Sequence, residues 1–251
     1  MTPSGRLFLS VGLILLVWRL PYGQQALYPL SLLASFAHEM GHGLTALIVG
    51  VEFERLTIYA DGSGLAVWRG SPGRLASALI AAGGLVGPTV AGVTLLILSR
   101  WQRFVRIALA VLAVLLLTSV VLWVRNPFGG AFVLVTALCL GSAARYLSDG
   151  GAAFFLNLLS LTLCLSLFRD IDYMFSDVAL VEDVSRHSDS AMIAAYLWLP
   201  YWLWGALIAS FSLVLLALGI FAASRGVAEE PKAEMALNSA MHGVLDGRKN
   251  Q

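Results

Sequence analysis

Charged side chains are scarce in this sequence. Only 12% of its 251 residues are Asp, Glu, Lys or Arg, whereas a soluble domain carries about 25%. With 59% hydrophobic residues, the chain has too few polar groups to cover a globule in water. The composition therefore predicts that the lipid bilayer is the solvent for much of the chain, which would be a multi-pass integral membrane protein.

Net charge and cysteine content narrow the functional classes further. The formal net charge is +1, so no basic surface can neutralise several phosphates, and nucleic acid is not an expected partner. The two cysteines, Cys139 and Cys164, stand singly in apolar runs without a CxxC pair. This placement predicts small buried hydrophobic side chains rather than a paired-cysteine site.

Seven apolar stretches are long enough, or nearly so, to cross a hydrocarbon core of about 30 Å. They run approximately over residues 7–20, 26–50, 75–99, 104–124, 128–147, 152–175 and 194–223. The first follows Arg6 without a small-residue cleavage site after it, so we expect a retained anchor helix rather than a signal peptide. The sequence thus predicts an all-α polytopic bundle of about six to seven transmembrane helices. It would form a single domain over 1–223, followed by a polar, flexible tail over 224–251.

Residues 51–69 depart from this helical pattern. Polar and apolar residues alternate there around Asp61-Gly62, which is typical of a β-hairpin. Because open sheet edges cannot face lipid, we expect this hairpin to lie at the membrane interface or to pack against protein.

The second apolar stretch contains an HExxH pattern at residues 38–42. On a helix, residues four positions apart share one face, so His38 and His42 can bind the same metal ion. Glu39 lies beside that face, where it can take a proton from a metal-bound water. Burying these groups without partners costs several kcal/mol. The pattern predicts a Zn²⁺ site, and a polar contact between helices without a metal is the alternative.

A glycine-rich segment in the third apolar stretch completes a family resemblance. Gly83-Gly84-Leu85-Val86-Gly87-Pro88 permits close helix packing through Gly83 and Gly87. An HExxH helix, a short hairpin and this Gly-Pro helix together resemble the site-2 protease family of intramembrane zinc metallopeptidases, and more closely its compact bacterial branch without a PDZ domain. The resemblance covers roughly residues 30–215. It implies a zinc-dependent endopeptidase of a bacterial inner membrane, with His38 and His42 as ligands and Glu39 as catalytic base.

The third metal ligand does not follow the usual pattern of that family. The classical members take it from an Asp-Gly pair shortly after an Asn-x-x-Pro element, whereas Asn126 and Pro127 are adjacent here. The first Asp-Gly pair beyond them is Asp149-Gly150. Counting membrane crossings from the end of the HExxH helix places Asp149 on the opposite side of the bilayer, which argues against it.

Two other aspartates are therefore the main candidates for this ligand. In the compact branch an aspartate near the end of the corresponding helix takes this place, and Asp170 matches it best. Asp189, in Ser188-Asp189-Ser190-Ala191, is the second choice and resembles a Ser-Asp-Ala element of that branch. Asp172, Asp177 or no third protein ligand are the remaining alternatives.

Substrates and rival functions follow from the same residues. The leading prediction is hydrolysis of peptide bonds in or beside a membrane helix of a membrane protein or peptide substrate. The alternatives are a metal-binding membrane protein without protease activity and a catalytically inactive family relative. The hairpin would either offer an edge to which a substrate segment adds as a strand or simply cap the cleft. The sequence makes no prediction about oligomeric state.

Overall fold

The computed structural model describes residues 3–181 and 184–224 of the chain. Its helices are α1 Pro3–Arg19, α2 Gly23–Ile48, α3 Arg74–Leu98, α4 Gln102–Leu122, α5 Pro127–Tyr146, α6 Asp149–Arg169, α7 Ile171–Met174, α8 Asp189–Tyr196 and α9 Tyr201–Ser224. Its strands are β1 Glu52–Ile58, β2 Gly64–Arg69, β3 Val178–Val181 and β4 Val184–His187. The tail predicted over 224–251 lies outside the described residues except for Ser224, and the division into one domain stays a prediction.

Five of the described helices, α3, α4, α5, α6 and α9, are long and apolar enough to cross a membrane. The helix α2 has 26 residues, but its polar side chains lower its mean hydropathy. The helix α1 has 17 residues. In the bundle α3 packs against α2, α6 and α8, while α4 packs against α5. The predicted polytopic helical bundle is confirmed, and the chain is an integral membrane protein.

Two of the predicted apolar stretches are each divided in the structure. The stretch 152–175 gives α6, which ends at Arg169, and the single turn α7, which begins at Ile171 after Asp170. The stretch 194–223 is broken after Leu197, where Trp198 has a left-handed φ of 31°. Pro200 follows and cannot donate a backbone hydrogen bond, so α9 begins as a separate helix. Between these two breaks lies the β3–β4 hairpin, which the sequence did not predict.

The predicted hairpin is β1 and β2, paired antiparallel with Leu56 opposite Ala66. It packs along α2: the hydroxyl of Tyr28 donates to Ala60 O at 2.6 Å, and Ser35 Oγ donates to Gly62 O at 2.7 Å. Leu56 and Ile58 are fully buried. The hairpin therefore packs against protein, which is one of the two placements expected for a sheet inside a membrane protein.

The outer edge of β1 is closed by the segment between α4 and α5. Leu56 N donates to Trp123 O at 2.8 Å, and Arg125 N donates to Leu56 O at 3.0 Å. One residue further on, Asn126 donates to Ile58 O at 2.7 Å and accepts from Ile58 N at 3.2 Å. Segment 123–126 thus satisfies the outward-facing backbone groups of Leu56 and Ile58 on β1, whereas the outer edge of β2 faces α2.

Glycines bring α2 and α3 into close contact. A methyl group at Gly41 would overlap the carbonyl oxygen of Gly83, and one at Gly87 would approach the Cα of Gly41 to 3.1 Å. The close approach expected from Gly83 and Gly87 is therefore present. It places the HExxH segment of α2 directly against the first half of α3.

Removing the side chain of Asn126 is expected to destabilise the hairpin. In Asn126→Ala the two backbone groups of Ile58 lose their partner in a buried setting, which should lower the free energy of unfolding by about 1–3 kcal/mol. Chemical denaturation of the detergent-solubilised protein measures this change. Gln102→Ala is the matched control, because its amide makes one exposed hydrogen bond, to Asp149 O, and should change stability by less than about 0.5 kcal/mol. Equal effects of the two variants would contradict this account of β1.

Candidate metal centre

The helix α2 brings the two HExxH histidines together, as its period requires. His38 Nε2 lies 3.1 Å from His42 Nε2, and the ring centroids are 4.8 Å apart. His42 is buried and its Nδ1 lies 2.8 Å from Ile80 O on α3. Since a carbonyl oxygen only accepts, Nδ1 carries the proton of a neutral His42 ring. The lone pair of His42 then belongs to Nε2, which is directed at His38.

The third member of the group is Asp189, the first residue of α8. Its Oδ2 lies 3.0 Å from His38 Nε2 and 3.3 Å from His42 Nε2. Ser188 caps the helix with a hydrogen bond from Ala191 N to its Oγ at 3.2 Å. Among the described residues, His38, His42 and Asp189 are the group of histidines and acids that could hold a metal ion.

The arrangement of these three atoms fits a zinc ion. Ligand atoms about 2.0–2.1 Å from a tetrahedral zinc lie about 3.3 Å apart, close to the spacing seen here. Asp189 Oδ2 is buried and lies 3.0 and 3.3 Å from the Nε2 atoms of the two rings, and a buried carboxylate is costly unless it has such partners. With neutral histidines, it faces the acceptor nitrogen of His42. A divalent cation between them would satisfy both groups.

Glu39 is held beside the three ligands by the β-hairpin. Its side chain is buried, and Oε2 accepts a hydrogen bond from Ala66 N on β2 at 2.7 Å. Gly64 makes room for it, because a methyl group there would meet Glu39 Cγ at 2.5 Å. The outer edge of β2 therefore fixes the carboxylate that the HExxH pattern offers as a base.

Tyr173 on α7 joins the same cluster. Its hydroxyl accepts a hydrogen bond from Asp189 N at 3.1 Å, and its ring stands edge-on to the ring of His38 with centroids 6.0 Å apart. Burial and the nearby Asp189 carboxylate raise the pKa of Tyr173, so the phenol keeps its proton. Sequence reasoning missed this residue, as well as Ile80 O and Ala66 N. Backbone groups leave no signal in a sequence. For Tyr173, the one available signal was its position next to Asp170 and Asp172 in the chain.

The structure places Asp189, the second-choice aspartate, and not Asp170 beside the two histidines. Asp170, the first choice, follows the end of α6, and its Oδ1 accepts from Arg169 Nε at 2.9 Å. It does not join the two histidines, whereas Asp189 does. The reason is the path of the chain after α7: the β3–β4 hairpin folds back on itself and returns the start of α8 to α2. Asp149, which the counting of crossings argued against, pairs with Arg106 at 3.0 Å.

Gly84 on α3 leaves the space that the His42 ring occupies. A methyl group there would overlap the imidazole, so Gly84→Ala should displace His42 and lower the zinc content of the purified protein well below that of the wild type. Metal analysis by mass spectrometry measures this. Gly141→Ala, also in a helix, has nothing within 4 Å of the added methyl group and should retain full zinc. A Gly84→Ala protein with wild-type zinc content would show that this contact does not limit the site.

Comparison with known proteins identifies the family of the chain. A family model described as Peptidase M50B-like matches residues 8–219 of the chain. No curated protein and no solved structure matches it. The matched region contains the whole of the cluster on α2, α7 and α8, and most of the described bundle. The chain therefore belongs to the Peptidase M50B-like family, which confirms the predicted membership of the site-2 protease family.

Proposed function

We propose that the chain is an intramembrane zinc metallopeptidase. It hydrolyses peptide bonds in or near membrane-spanning segments of membrane proteins or peptides, in a bacterial inner membrane. The observation that carries this proposal is the convergence of His38, His42 and Asp189 beside Glu39, inside the helical bundle of a peptidase family.

The metal would be held by the three converging side chains. His38 and His42 supply imidazole nitrogens and Asp189 supplies a carboxylate oxygen, a donor set that suits zinc in a hydrolase. The carbonyl of Ile80 fixes the tautomer and ring orientation of His42. A zinc ion bound here would polarise the scissile carbonyl and lower the pKa of a bound water towards about 7.

Glu39 is the residue to which we assign proton transfer. The hydrogen bond from Ala66 N engages Oε2, so we assign Oε1 as the oxygen that accepts and returns the transferred proton. As general base it takes a proton from the attacking water, and as general acid it returns one to the leaving amine. Its burial next to the two histidines supports this role, because proton transfer requires a fixed and short approach.

The substrate would lie along the outer edge of β2. Segment 123–126 closes the edge of β1, whereas β2 presents its other edge to the side of α2 that carries Glu39. Trp68 on the same strand lies with its ring centroid 6.4 Å from that of His42. An unwound substrate segment could add here as a strand, with its backbone next to the ligands. If the hairpin is instead only a cap over the cleft, the assignment of the metal ligands is unaffected.

Glu39→Gln is expected to separate catalysis from metal binding. The amide cannot accept the proton, so cleavage of a transmembrane peptide in proteoliposomes should fall at least about 100-fold while the zinc content stays at the wild-type level. Glu54→Gln, on the adjacent hairpin strand β1, is the matched control and should cleave at the wild-type rate. If Glu39→Gln still cleaved the peptide at the wild-type rate, Glu39 would not be the general base.

The assignment of Asp189 over Asp170 is tested with two isosteric substitutions. Asp189→Asn should lose most of its zinc and its cleavage activity, whereas Asp170→Asn should keep both, because its carboxylate bonds to Arg169. Zinc analysis and the peptide assay measure the two properties. The opposite pattern would return the ligand to Asp170. A wild type that binds one zinc per chain but cleaves no membrane peptide would instead support the non-proteolytic alternative.

A further inference from the structure

The two serines that flank Asp189 donate hydrogen bonds to the chain just after α6. Ser188 Oγ donates to Ser176 O at 2.5 Å, and Ser190 Oγ donates to Met174 O at 2.6 Å. Both serines are fully buried. These bonds tie the start of α8 to α7, so that the residue between the two serines has a fixed backbone position.

The contact from Tyr173 differs from these bonds because it reaches the ligands themselves. The N–H of Asp189 belongs to the first turn of α8, where backbone donors have no partner within the helix. The hydroxyl of Tyr173 accepts this N–H at 3.1 Å, and its ring edge meets His38. One side chain on a four-residue helix therefore contacts two of the three residues that converge at the site, the backbone N–H of Asp189 and the ring of His38.

We infer that Tyr173 is a positioning residue of the metal centre, whose hydroxyl fixes Asp189 and whose ring fixes the plane of His38. The inference rests on the proposed function, since it concerns the ligands of the same metal. It goes beyond that proposal because Tyr173 belongs neither to the HExxH motif nor to the metal ligands, yet it sets how tightly the metal is bound.

The hydroxyl group of Tyr173 distinguishes a role in positioning Asp189 from a role in packing alone. If Tyr173 only filled space between α7 and α2, Phe at this position would serve equally well, because it keeps the ring and its contact with His38. If the hydroxyl positions Asp189, its loss leaves the first N–H of α8 unpaired and allows the carboxylate to shift. Loss of such an outer partner typically weakens metal binding by about 10–100-fold.

The test compares Tyr173→Phe with Tyr28→Phe in the purified full-length protein. Tyr28 is a suitable control because its hydroxyl also bonds to the backbone, at Ala60 O, but at the tip of the β1–β2 hairpin. Zinc affinity is measured by competition with a chromogenic chelator, and the ligand geometry by the visible absorption bands of the cobalt-substituted protein. Thermal unfolding of the metal-free variants checks that both are folded.

Tyr173→Phe should bind zinc at least about 10-fold more weakly than the wild type and should shift the cobalt bands, while Tyr28→Phe changes neither. Wild-type affinity and an unshifted cobalt spectrum in Tyr173→Phe would overturn the inference and leave the proposed function intact. A wild-type protein that binds neither zinc nor cobalt would overturn both.

Discussion

The approach of one carboxylate to two imidazoles is the interaction on which this structure depends. Asp189 Oδ2 is buried and lies 3.0 and 3.3 Å from the Nε2 atoms of His38 and His42. Such a group is expensive to bury in an apolar bundle unless a cation completes it. Burying these three side chains in a lipid-solvated protein costs free energy, and the other features of the bundle hold them where they can offset that cost together.

Three parts of the fold hold these side chains in place from different directions. The glycines between α2 and α3 allow the two helices to approach, and Gly84 leaves the space filled by the His42 ring. The β1–β2 hairpin, closed on its far edge by segment 123–126, presents Ala66 N to Glu39. The turn at α7 and the buried serines beside Asp189 fix the start of α8. The hairpin and the segment after α6 do so through backbone groups, Ala66 N in the first and the carbonyl oxygens of Met174 and Ser176 in the second.

The sequence predicted the features that arise from local periodicity. Apolar runs are required wherever a helix meets lipid, alternation around Asp61-Gly62 is required for a hairpin, and the spacing of His38 and His42 is required for a shared face. It did not predict which aspartate completes the group. That choice depends on the path of residues 176–187, whose two short strands carry mostly exposed side chains and little pattern. Asp170 and Asp189 look alike in sequence, and only the tertiary return of α8 to α2 separates them.

X-ray absorption at the zinc edge of the purified wild-type protein tests the central claim most directly. The account predicts one zinc per chain, with scattering from two imidazole rings and from oxygen ligands at about 2.0–2.1 Å. A protein that holds no zinc after purification and reconstitution, or one whose zinc spectrum lacks the imidazole contribution, would contradict it. In that case the three side chains would form a metal-free polar contact between α2 and α8, and the hydrolase proposal would lose its foundation.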